Sequence, residues 1–178
     1  VFIGGSGGQQ FSGLAGNDTI TGGSGGSDEV RYDNDASFGG EAGVNVNLLT
    51  GVAIDGFGDT DSLSGIERVW GTNQDDILIG NTSTNRLRGL EGNDTIDGGE
   101  GIDEVSYSQD SVFGGTVGVT VDLGAGTAID GFGSTDRLTN RESVRGKEFG
   151  DEITGGLGAN NFKGGRGNED FRDTAKGD

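Results

Sequence analysis

The chain has 178 residues, 40 of them Gly, and a formal net charge of -18 from 30 acidic and 12 basic residues. That acidity disfavours nucleic acid and anionic membrane as direct partners and favours multivalent cations. With no Cys and no His, disulfides, thiolate and imidazole metal sites, Ser-His triads and Cys-His pairs are excluded.

Only 29% of the residues are hydrophobic, a composition near the border of disorder. Periodicity decides against disorder. Val1-Phe2-Ile3 reads as the end of a nonapeptide unit, so the chain is expected to be part of a longer polypeptide. Complete units of the form G-x-x-x-x-D-x-U-x, with U apolar, then begin at Gly4, Gly13 and Gly22. An interlude over 32–70 follows. Units resume at Gly71, Gly80, Gly89 and Gly98, break for a second interlude over 107–145, and resume at Gly146, Gly155 and Gly164. Position eight is apolar throughout: Phe11, Ile20, Val30, Leu78, Leu87, Ile96, Val105, Ile153, Phe162 and Phe171. Position six always carries a side-chain oxygen: Gln9, Asp18, Asp28, Asp76, Asn85, Asp94, Asp103, Asp151, Asn160 and Glu169. The unit at Gly22 needs one inserted residue to reach Asp28.

A unit of this length has room for a tight turn and about three extended residues. Gly at positions one and four is expected to take positive φ where the backbone bends. Position eight points inward. Two units make one coil, and coils stack in parallel. The interludes are related to each other, as in Ala53-Ile54-Asp55-Gly56-Phe57-Gly58 and Ala128-Ile129-Asp130-Gly131-Phe132-Gly133. Val44, Val46 and Leu48, and again Val119, Val121 and Leu123, alternate as strands. The loops ending at Asp61 and Asp136 read as two more cation turns. No sustained helical stripe of apolar residues is present, and no stretch reads as a membrane span or signal peptide. The expected fold is all-β: a parallel β-roll or β-helix solenoid, one domain over 1–178, with blocks at about 4–31, 71–106 and 146–172.

These units resemble the RTX (repeats-in-toxin) nonapeptide, which Gly98-Gly99-Glu100-Gly101-Ile102-Asp103-Glu104-Val105-Ser106 matches at every defined position. The interludes resemble the spacers between such blocks in large secreted bacterial proteins. The resemblance implies a right-handed β-roll with calcium between turns of successive coils, and type I secretion to the outside of a bacterial cell. The family's export signal is C-terminal; Asp173 to Asp178 carry nothing recognisable as one.

Calcium takes six to eight oxygens, more than one turn supplies. Turns two units apart share a side of the solenoid, which pairs Asp76 with Asp94, Asn85 with Asp103, Gln9 with Asp28 and Asp151 with Glu169. Asp61 is paired with Asp76, and Asp136 with Asp151. Asp18 and Asn160 complete the candidate ligands; Gln9, Asn85, Asn160 and Glu169 depart from Asp and make weaker ones. Asp33, Asp35, Asp110, Glu41 and Glu91 read as solvated surface charge. Glu67 and Glu142 are balanced between ligands and loop hydrogen-bonders. Tyr32, Tyr107, Phe57 and Phe132 read as core or capping aromatics, with sugar stacking as the alternative, and Trp70 as a local cap. Arg141, in place of Ile66, predicts different packing in the second interlude.

Three functions fit. The first is a module that folds on extracellular calcium. The second is the non-catalytic part of an exoenzyme of the lipase, protease or alginate epimerase type, binding polysaccharide or a cell-surface glycan. The third is a rigid adhesin or surface-layer segment. Catalysis within this chain is not expected.

Overall fold

A computed structural model describes residues 1–172; the chain end read above for an export signal lies outside them. Short strands form two sheets, one of twelve strands and one of seven, on opposite faces of a solenoid. The seven-stranded sheet is parallel throughout, running from Gln10–Phe11 through Glu29–Arg31, Arg68–Trp70, Arg86–Arg88, Glu104–Ser106 and Ser143–Arg145 to Asn161–Lys163. Within the blocks the register is the expected one: Leu78 lies opposite Ile96, Leu87 opposite Val105 and Ile153 opposite Phe171. The inserted residue shows as Phe11 opposite Val30. This is a parallel β-roll.

The core is the column of position-eight side chains between the sheets, continued through the interludes by residues such as Val46, Leu63, Val69, Val121, Leu138 and Val144. Ile20, Val30, Leu78, Ile96 and Ile153 are fully buried, and Phe171, in the last described coil, is 41% exposed. Each unit contributes one such side chain, worth about 1.5–3 kcal/mol. The core is therefore thin and depends on stacking.

The interludes continue the coil in the seven-stranded sheet but depart from it in the twelve-stranded one. Asn45–Asn47 pairs antiparallel with Val52–Ile54, which pairs antiparallel with Thr60–Ser64. The first of these strands lies parallel to Ile77–Ile79 of the next block, and the last lies parallel to Thr19–Thr21 of the preceding one. The path therefore jumps three places along the sheet and returns through the two it left open. Thr120–Asp122, Thr127–Ile129 and Thr135–Thr139 repeat this meander. Its hairpins turn where Asn47 Oδ1 accepts from Thr50 N at 2.9 Å and Asp122 Oδ1 accepts from Ala125 N at 2.9 Å. Val46 and Val121 are buried as expected. A 3-10 turn at Asp35–Phe38 is the one helical element among the described residues.

Arg141 confirms the packing difference. Ile66 is buried, whereas the Arg141 guanidinium donates to Leu123 O. Trp70 does more than cap. Arg31 and Arg88 each lie 3.9 Å from its ring centroid, and Phe113 of the second interlude meets it edge-on at 6.0 Å.

Candidate metal centre

Each turn delivers its position-six side chain to the solenoid edge. Two glycine positions make this possible, for different reasons. At position four the backbone is left-handed, as at Gly92 (φ 134) and Gly101 (φ 124), where Gly carries no steric penalty. At position one, contrary to expectation, φ is not positive. Gly89 is required instead because a Cβ there would collide with the Asp94 carboxylate, and Gly71 and Gly146 stand in the same relation to Asp76 and Asp151.

The position-six groups form a ladder along each edge, in which a side-chain oxygen accepts the backbone N–H of the adjacent rung. On the edge leading into the twelve-stranded sheet, Asp94 Oδ1 accepts from Asp76 N at 2.9 Å and Glu169 Oε2 from Asp151 N at 2.9 Å. On the other edge, Asp28 Oδ1 accepts from Gln9 N at 2.8 Å and Asp103 Oδ1 from Asn85 N at 2.7 Å. All four pairs spaced by one coil are thus brought together.

The two interlude pairings are not. Asp61 Oδ1 accepts from Asp18 N at 2.9 Å, and Asp136 Oδ1 from Asp94 N at 3.0 Å. Asp76 and Asp151 instead accept from Val44 N and Val119 N. The returning meander explains this correction, because its last strand docks on the block before it.

Glu67 and Glu142 complete the second edge, accepting from Asp28 N at 2.9 Å and Asp103 N at 3.0 Å. They lie outside the ten nonapeptide units. Their recurrence at equivalent places in the two interludes was the available signal. Asn160 joins no neighbouring rung through its side chain; its amide donates to Gly156 O and Gly158 O of its own turn. Asp18 is partly exposed, 3.8 Å from the Val1 amino group.

Asp35 and Asp110, expected in solvent, are 0% exposed, and Asp33 is paired with Arg31 at 2.6 Å. Glu41 and Glu91 are exposed, as expected. Tyr32 and Tyr107 are buried, donating to Asp61 Oδ2 at 3.3 Å and Asp136 Oδ2 at 2.9 Å, which removes them as sugar-stacking platforms. Phe57 and Phe132 are half-buried.

The ladder concentrates negative charge away from water. Burial, then the charges of Asp76 and Asp136, push Asp94 up to about 10. Burial raises Asp76 and Asp136 to about 7 and Asp103 and Asp151 to about 6. Asp94 Oδ2, Asp103 Oδ2 and Glu169 Oε1 are buried without a hydrogen-bond partner. Such a stack favours a bound cation. Among the described residues no three acidic side chains are gathered at one point. A site built here would have to add turn carbonyls to the carboxylates of two rungs, and calcium's flexible oxygen coordination allows that.

A parallel roll edged by buried carboxylates defines a calcium-binding solenoid. The RTX calcium-binding nonapeptide repeat (4 copies) matches residues 3–26, 70–105 and 140–171, just over half of the chain. The chain belongs to this family, whose repeats bind Ca²⁺. No curated protein matches it.

Proposed function

We propose that this calcium-binding module is a non-catalytic folding segment of a larger secreted bacterial protein, unfolded where calcium is scarce and folded outside the cell. The supporting observation is the buried carboxylate ladder, which opposes folding unless cations neutralise it. At tenfold excess over its dissociation constant, one site adds about 1.4 kcal/mol. Several sites reach the scale of a domain's stability, about 5–15 kcal/mol. Among the described residues no helix is long and apolar enough to cross a membrane. Far-UV circular dichroism should change from coil to β as calcium rises to millimolar levels, with magnesium much less effective. A fully folded spectrum in excess chelator at neutral pH would sink the reading.

The ligands proposed are Asp18, Asp28, Asp61, Asp76, Asn85, Asp94, Asp103, Asp136, Asp151, Asn160 and Glu169. They are not equal. Asp94 lies between Asp76 and Asp136 and keeps a buried oxygen free. Loss of a buried charged partner costs about 1.5–3 kcal/mol, so Asp94→Ala should raise the calcium midpoint about tenfold or more. Asn160 serves its own turn, and Asn160→Ala should shift the midpoint by less than about twofold. Equal shifts in a calcium titration would show that the ladder geometry does not govern binding.

A further inference from the structure

Each interlude builds an acidic pocket that the nonapeptides do not. In the first, Asp35 and Asp55 are 0% and 1% exposed. Asp35 Oδ2 accepts from Gly56 N at 3.1 Å, and Asp55 Oδ1 accepts from Phe57 N at 2.9 Å and Asp59 N at 2.8 Å. The remaining oxygens, Asp35 Oδ1 and Asp55 Oδ2, are buried with no partner. In the second interlude Asp110 Oδ2 accepts from Gly131 N at 3.0 Å, and Asp130 Oδ1 from Phe132 N at 2.9 Å and Ser134 N at 2.8 Å. Asp110 Oδ1 and Asp130 Oδ2 are again buried and unpartnered. The same two oxygens are left open in both copies, although buried carboxylate oxygens ordinarily find a donor or a metal.

The copies differ at two neighbouring positions. Lys147 is 1% exposed and its Nζ makes no hydrogen bond. The ammonium lies over the Phe149 ring at 4.7 Å, and a Cβ on Gly131 would strike both it and Asp110. The acidic groups that act on it are Asp110, Asp151 and Asp130. In the first copy the equivalent residue is Thr72, whose short side chain donates to Asp76 Oδ1 at 2.9 Å. Gln74 stands there in place of Phe149. The second pocket has a tethered cation, and the first has no basic side chain at that position.

We propose that the Asp35–Asp55 pocket is a calcium site separate from the turn ladders, and that the buried Lys147 ammonium, beside the second copy but not paired with its carboxylates, supplies the positive charge there instead of an ion. This rests on the calcium-dependent reading above. The third block shows that Lys is compatible with the turn, since Lys147 N donates to Asp151 Oδ2 at 2.9 Å as Thr72 N does to Asp76 Oδ2 at 2.7 Å.

The test exchanges the two residues in the full chain, with calcium titrated by calorimetry and bound ions counted by native mass spectrometry. Thr72→Lys and Asp35→Asn should each bind one calcium fewer than the parent, and Lys147→Thr one more. The double exchange should restore the parental count. The gain in Lys147→Thr carries most weight, because damage to a ladder site could remove an ion but not add one. If Thr72→Lys fails to fold, Asp35→Asn and Lys147→Thr decide. Calcium-bound parent and variants with one unchanged count would overturn the pocket and leave the folding reading standing. A parent that folds and binds no calcium would overturn both.

Discussion

In excess chelator at about pH 8 the roll should be lost, and lowering the pH to about 5 should restore much of its β signal without calcium. Asp35, Asp76, Asp103, Asp110, Asp136 and Asp151 are raised by burial from 3.8 to about 6 or 7, and Asp94 to about 10. A carboxyl with a raised folded-state value stabilises the fold fully below its unfolded value, near 3.8. That stability is lost as pH rises through the folded value. For Asp76 and Asp136 the loss is about 4 kcal/mol each. Two or three such groups rival the whole stability of a domain, about 5–15 kcal/mol. Protons and calcium thus compete for the same oxygens, and the affinity of the folded roll for calcium, read by calorimetry, should fall as pH falls from about 7.5 to 6. Circular dichroism in chelator across this range checks the first part. A chelated chain equally unfolded at both pH values would show that the buried carboxylates are not what opposes folding.

Replacing residues 107–145 with a flexible Gly/Ser linker should weaken calcium binding on both sides of the cut. The segment supplies Asp136 to the Asp94 rung and Glu142 to the Asp103 rung, while Val119 N bonds Asp151 Oδ1. It also supplies Phe113, which packs on Trp70. Three rungs lose a charged or backbone partner, each worth about 0.5–3 kcal/mol. The midpoint should rise by about tenfold or more, and the transition should broaden because nearest-neighbour coupling is cut. Flanking blocks that keep their midpoint and steepness would show that the chain is several domains rather than the single one proposed.

Much of this was legible because one chemical class of side chain sits at each fixed offset, oxygen-bearing at position six and apolar at position eight. Position eight gave the core column, and position six gave the four ladder pairs one coil apart. The interlude pairings were not legible. Asp61 and Asp76 are close in sequence, but the hairpin at 47–52 reverses the path, and its turn signal is a single Asn followed by Gly51. Glu67 and Glu142 stood balanced between ligand and loop hydrogen-bonder, because a longer side chain reaches the rung from outside the nonapeptide frame. Asp35 and Asp110 looked solvated because acidic residues in a polar stretch usually are. Their burial depends on Gly56 and Gly131, which lie well downstream of them along the chain.

The returning meander has a consequence for any chain that emerges one end first. With residue 1 leading, the strands appear in the order Asn45–Asn47, Val52–Ile54, Thr60–Ser64, yet only the last of these pairs with the coil already made. With residue 178 leading, Thr60–Ser64 appears first, yet only Asn45–Asn47 pairs with the finished coil at Ile77–Ile79. In either direction the strand that must dock first arrives last. Coil-by-coil growth therefore halts at each interlude until all three strands are out.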